Sequence, residues 1–230
     1  DEWTRPKYNR VSAVLKLNYK FASYFSSFCI ADNLVLRNSL VQNFNVDPVV
    51  IRYGGDHLEK IFFEREKYYL VVARAQEDSM FELLIDAFTG LPDRRLVIVS
   101  NWDVSEYGIR LKKIIEGITN IEAVGPIYDK KKLTELRLKS CVYIHSHSKC
   151  GTAPSLVESI CLGCAIVSYD AETNREVTGN MLYYFKTANE LTDIISALNH
   201  NEISRLHHVS ETLSSNFKWE HIAKEYRKLL

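Results

Sequence analysis

The sequence predicts an α/β fold, a doubly wound parallel sheet with helices on both faces, preceded by a partial α/β segment. Two observations predict it. From Lys67 onward, apolar runs of strand length alternate with amphipathic runs of helical period. Those apolar runs are nearly continuous rather than alternating, as strands covered on both faces require.

In order, residues 68–73 predict a strand followed by a helix over 80–89, and 95–100 a strand followed by a helix over 106–117. Strand 121–125 precedes a helix at 130–140, and strand 141–146 precedes one at 154–162. Strand 164–169 leads to a short helix at 173–178, and strand 182–185 to a helix at 188–199. Pro154 suits a first helical turn and Gly163 the left-handed position past a helix end. Thr187 with Glu190 reads as a capping box. Helical patterns at 202–215 and 218–229 close the chain, the last with Trp219, Ile222, Tyr226 and Leu229 on one face.

Residues 1–65 read differently, as the end of a separate α/β domain and a linker. They hold a long amphipathic helix (Val11, Leu15, Tyr19, Ala22, Phe25), a strand at 28–31, a helix at 34–44 and a strand at 49–53. A linker with Gly54-Gly55 leads into the sheet domain at 66–217, and 218–230 forms a last helix expected to pack back on the N-terminal part. The chain opens without an initiator Met, so the expectation is a fragment or processed product whose upstream part is absent.

Composition narrows the function. Lys+Arg and Asp+Glu number 29 each among 230 residues, with 46% apolar and 25% charged, the balance of an ordinary globular chain. Nucleic-acid binding is disfavoured, since it needs an excess of cations to neutralise phosphates. No apolar run approaches the roughly 20 residues of a spanning helix. Five cysteines, odd in number and mostly set in apolar runs, read as reduced core residues in a cytoplasmic setting.

In an open parallel sheet, ligands bind beyond the carboxyl ends of the strands. The richest stretch there runs from His145 to Glu158, where a small-residue loop enters a helix carrying Ser155, Leu156 and Val157 in its first turns. Exposed amides and the helix dipole at such a point favour an anion, most naturally phosphate. Lys149 adds a cation, and Glu158, one turn further in, could accept hydrogen bonds from sugar hydroxyls. The same nest forms at any strand-loop-helix junction, and Glu158 could equally be an exposed acid stabilising its helix. Arg74 follows a buried strand at the same edge, where it either clamps a diphosphate or pairs with Glu77 or Asp78. His145 and His147 read as pocket or core histidines, lacking the further ligands a zinc site needs. The Cys161-Leu162-Gly163-Cys164 string has no second pair to make it a metal or redox site. Glycine-rich dinucleotide and P-loop motifs are absent.

These residues resemble the donor-binding half of retaining glycosyltransferases of the GT-B fold, family 4, whose C-terminal domain is Rossmann-like. The resemblance rests on Val72-Ala73-Arg74, on residues 124–129 (Val-Gly-Pro-Ile-Tyr-Asp), on residues 151–158 (Gly-Thr-Ala-Pro-Ser-Leu-Val-Glu), on Asn174-Arg175-Glu176-Val177 and on Trp219-Glu220. The style is nearest to bacterial capsule and O-antigen rhamnosyltransferases, to which Glu2-Trp3 and Ala31-Asp32-Asn33 are also similar. The resemblance implies that Arg74 and Glu158 carry the catalytic roles, Arg74 neutralising the diphosphate and Glu158 holding the ribose. Amides at Ser155, Leu156 and Val157 would hold the diphosphate, and Ile127 and Tyr128 would line the base pocket. His147, Gly151, Thr152, Asn174, Arg175 and Glu176 complete the implied donor site.

Two positions depart from the family pattern: Cys150 stands where a second Glu is usual, and Ser79 where a phosphate-binding Lys is. The implied reaction is metal-independent, with no cofactor, and moves a sugar from a nucleotide diphosphate to a saccharide or lipid-linked saccharide. It places the protein in the cytoplasm or at the inner membrane face, with peripheral membrane association through the absent part. The isolated chain is expected to bind nucleotide but transfer poorly. Two alternatives are a GT-B-type nucleotide-sugar epimerase and a non-catalytic nucleotide-binding or interaction module.

Overall fold

The structure is a computed structural model that describes residues 10–229; the Glu2-Trp3 stretch and Leu230 lie outside them. The described chain opens with α1 (Ser12–Phe25), β1 (Ile30–Ala31), α2 (Leu34–Phe44) and β2 (Val49–Val50). β1 and β2 pair in parallel around α2, a small βαβ unit. The Asn33 side chain caps α2 by accepting the Leu36 N–H at 2.8 Å, and left-handed Asn45 ends the helix. Both strands are shorter than their apolar runs because each is paired over two residues only. The expected apolar face of α1 is little covered, and none of the helix's residues is buried. Tyr19 stacks on Phe44 with ring centroids 6.2 Å apart, whereas Phe25 is 77% exposed.

The rest of the chain is β3 (Tyr68–Val72), α3 (Phe81–Thr89), β4 (Arg95–Val99), α4 (Glu106–Ile115), β5 (Ile121–Val124), α5 (Lys130–Lys139) and β6 (Val142–His145). It continues with α6 (Pro154–Cys161), β7 (Ile166–Tyr169), α7 (Glu172–Val177), β8 (Tyr183–Phe185), α8 (Ala188–Ala197), α9 (His200–Ser214) and α10 (Trp219–Arg227). The six strands from β3 on form one parallel sheet in the order β5-β4-β3-β6-β7-β8. Leu70 in β3 lies between Val97 and Tyr143 of its two neighbours, and all three are buried. Tyr68, Tyr69, Leu70 and Val71, whose side chains alternate between the two faces of the sheet, are all buried, so both faces are covered and the strand reads as a continuous apolar run.

Helix ends follow local chemistry. Pro154 occupies the first turn of α6, and Gly163 past its end has φ +71°. Thr187 and Glu190 form the reciprocal capping box of α8. Asp129 caps α5 by accepting the Lys131 N–H at 2.9 Å. On α10 only Ile222 is buried. Trp219, 40% exposed, lies against the linker, its indole over Gly54 and its backbone N–H on the Asp56 carboxylate at 2.9 Å.

Among the described residues no two cysteines are bridged, and only Cys164 is buried. The other four are partly exposed, so the expected core role fits Cys164 alone. No helix of the described residues is long and apolar enough to cross a membrane.

Candidate active site

The chain lays down β3, β4 and β5 outward in one direction, then returns to set β6 on the other side of β3. That reversal opens a crevice beyond the carboxyl ends of β3 and β6, the position where doubly wound sheets bind ligands. A cavity of about 530 Å³ lies there, lined by the loops after β3, β4, β5 and β6.

These loops are bonded to one another. The Ala75 N–H donates to Asn101 Oδ1 at 2.9 Å, joining the loops after β3 and β4. Across the reversal, Ser146 Oγ donates to the Ser79 carbonyl at 2.6 Å and the Ser148 N–H to the Asp78 carbonyl at 2.8 Å. From the far side, Asn174 Nδ2 donates to the carbonyls of His147 at 2.9 Å and Tyr169 at 3.0 Å.

Of the residues expected in the site, Arg74, Ile127, Tyr128, His147, Gly151, Thr152 and Ser155 all line this cavity, together with Lys149 and Cys150. Arg74 is exposed, and among the described residues its guanidinium forms no ion pair, so pairing with Glu77 or Asp78 is not what holds it. At the start of α6, Pro154 brings no N–H, and the amides of Leu156 and Val157 turn back to the Ala153 carbonyl at 3.0 and 3.2 Å. The first amide of that helix is therefore that of Ser155. The Thr152 N–H donates to the Asp32 carboxylate at 2.9 Å.

Leu156 and Val157 point their side chains into the core. Glu158, Asn174, Arg175 and Glu176 do not line the cavity. Glu158 is held by Arg137, Nη2 to Oε2 at 2.7 Å, and faces His57 Nε2 at 3.5 Å. Arg137 is only 2% exposed, so Glu158 neutralises a buried cation. The Trp219 indole N–H donates to His57 Nδ1 at 3.3 Å. An indole nitrogen only donates, so Nδ1 of His57 accepts, and the neutral ring carries its proton on Nε2, toward Glu158.

Asn174 is buried and supports the loop by its amide. Arg175 bonds the Asp170 carboxylate and lies over the Tyr184 ring, 4.1 Å from its centroid. That bond holds Asp170 below the usual carboxylate range. Glu176 pairs with Arg52 of the linker. His145 is buried, with its ring stacked on His147 at 5.1 Å. Burial, then the neighbouring imidazole, holds His145 well below the usual histidine range, so it stays neutral.

Sequence reasoning missed Asp32, Arg52, His57 and Arg137 as neighbours of the site. Arg137 alone carried a local signal, a charge four residues past Leu133 on the side of α5 that turns inward. The others meet the site only through tertiary contacts.

Residues 56–213 match the family described as glycosyl transferases group 1, and the chain belongs to that family. No curated protein sequence matches it. Among solved structures, a variant of S. aureus TarM in complex with Fondaparinux, alpha-GlcNAc-glycerol and UDP has a TM-score of 0.76 at 13% identity, over 94% of this chain and 46% of that one. The pneumococcal O-GlcNAc transferase GtfA, in complex with UDP and GlcNAc, has 0.71 at 15% identity, over 92% and 46%. Sucrose-phosphate synthase from Thermosynechococcus elongatus has 0.77 at 14% identity, over 94% and 61%. These likenesses establish the fold, that of GT-B glycosyltransferases. The chain spans about half the length of the first two.

Proposed function

We propose that this chain is the donor-binding portion of a retaining, sugar-nucleotide-dependent glycosyltransferase acting in cell-surface polysaccharide assembly. The observation that carries the reading is the cavity at the sheet's reversal, where an exposed Arg74 and Lys149 face the start of α6. Two cations and a helix N-terminus in one crevice make a site for a pyrophosphate. The mixed wall of Ile127 and Tyr128 suits a base.

In glycosyl transfer the glycosidic bond to the diphosphate breaks as the acceptor oxygen bonds the anomeric carbon. Negative charge then grows on the leaving phosphate. Arg74, Lys149 and the Ser155 amide would stabilise that charge, the largest contribution a protein makes to such a step. We read the diphosphate as met by these groups without a metal, so its binding is the same in chelator as in added Mg²⁺. The donor sugar is a hexose, with rhamnose the first to test. The acceptor is a saccharide or lipid-linked saccharide, met at the inner membrane face.

Calorimetric titration with UDP, dTDP and GDP tests the reading. Binding of at least one is expected, weakened by about 1–3 kcal/mol in Arg74→Ala, the range for a lost charged partner. No binding of any of the three overturns it.

A further inference from the structure

We propose that Asp32, from the N-terminal βαβ unit, is a positioning residue of the donor site: its carboxylate sets the loop that leads into α6. This rests on the nucleotide-binding reading above. Asp32 does not line the cavity, but its target does.

The Asp32 carboxylate accepts the Thr152 N–H at 2.9 Å, and the Asp32 carbonyl accepts the Thr152 hydroxyl, also at 2.9 Å. Asn33, which caps α2, places its amide nitrogen 3.4 Å from the same hydroxyl. One turn of the N-terminal unit thus grips Thr152 by amide and side chain together. The approach is close enough to require glycine next door: a Cβ at Gly151 would stand 2.6 Å from Asp32 Oδ2 and 2.9 Å from Leu36 Cδ1.

The other anchors of this loop come from inside the sheet domain, Asp78 on Ser148 and Asn174 on His147. Asp78 acts before Lys149, and Asn174 reaches one residue past it, its Oδ1 accepting the Cys150 thiol at 3.6 Å. At Thr152, where the loop meets the cavity, Asp32 and Asn33 hold it from the N-terminal unit. A partly buried carboxylate beside an anion site opposes the anion by charge, so its net benefit must come from geometry. That conflict separates the roles experimentally. Asp32→Asn removes the charge but keeps an oxygen that can accept the Thr152 N–H, whereas Asp32→Ala removes both.

The test is titration of the wild-type chain and both variants with UDP, dTDP and GDP, alongside backbone hydrogen exchange of the segment 149–153 without nucleotide. The proposal expects Asp32→Ala to bind about tenfold more weakly, the size of one lost hydrogen bond to a charged group. Asp32→Asn should bind at least as well as wild type. Exchange at Thr152 should quicken in Asp32→Ala and not in Asp32→Asn.

Equal affinity in wild type and Asp32→Ala overturns the proposal and leaves the nucleotide reading intact. Tighter binding in Asp32→Ala also overturns it, because the carboxylate would then act only by repulsion. Unchanged exchange at Thr152 overturns it whatever the affinities. A wild-type chain that binds none of the three nucleotides defeats the underlying reading first, and shows this without any variant.

Discussion

At the scale of single residues, the site combines charges left open to solvent with charges neutralised inside. Arg74 is exposed and lines the crevice, while Glu158, one helical turn past Ser155 on α6, neutralises the buried Arg137 of α5. Removing Glu158 strands a buried guanidinium, so a loss of function in Glu158→Ala mixes folding with binding. Glu158→Gln keeps the contact and reports on the ligand.

His145 makes a separate prediction. Its folded-state pKa lies below its unfolded value of about 6.5, so the unfolded chain binds the proton more readily. Its contribution is complete above pH 6.5 and is lost as pH falls below that value. Urea unfolding from pH 7.5 to 5 should show stability falling, with a slope approaching about 1.4 kcal/mol per pH unit from this group. His145→Leu should be flatter over the same range. Equal slopes would show that His145 is not buried neutral.

Arg74 and the loop from His147 to Ser155 were legible in the sequence because each directly follows a strand, and strand ends define the crevice. That Arg137 pairs with Glu158 was not, because its place on the inward side of α5 shows that it is buried but not which of the acids along the chain, here 21 positions on, neutralises it. Asn174 and Arg175 entered the expected donor site through the family resemblance, which carries no information on what each side chain bonds within this chain. Here they support the loop and bind Asp170.

At the scale of elements, the helices of the sheet domain were legible nearly to the residue, because proline, glycine and capping side chains fix their ends. The strands of the N-terminal unit came out shorter than their apolar runs, since strand length is set by a partner rather than by composition. The face of α1 was visible as a period but its cover was not, and Phe25 is largely exposed.

The linker between the two parts depends on close packing. A Cβ at Gly55 would stand 2.7 Å from the Val157 carbonyl oxygen and 2.9 Å from Cys161 Sγ, both on α6. Gly55→Ala should therefore destabilise the chain by about 1–3 kcal/mol, the cost of overpacking. Gly117→Ala, whose Cβ meets nothing nearer than 3.6 Å, should change stability by less than about 0.5 kcal/mol. Denaturant midpoints of the two variants compare them, and equal midpoints would show that the linker yields freely.

At the scale of the whole molecule, the alternation of apolar and amphipathic runs is enough to specify a parallel sheet, and its reversal beside β3 is what creates the crevice. Strand order itself was not in the sequence pattern, because alternation is the same for any arrangement of parallel strands. The contacts of Asp32 with Thr152 and Arg52 with Glu176 tie the N-terminal part to the sheet domain, the first of them at the wall of that crevice, and Trp219 ties the last helix to the linker.

The central claim is that a nucleoside diphosphate is held between Arg74 and the start of α6. A crystal structure of the chain grown with UDP, dTDP or GDP tests it most directly. The account predicts the pyrophosphate within hydrogen-bonding distance of the Arg74 guanidinium and the Ser155 amide. A bound nucleotide lying elsewhere, with this crevice closed by the protein's own side chains, would contradict it.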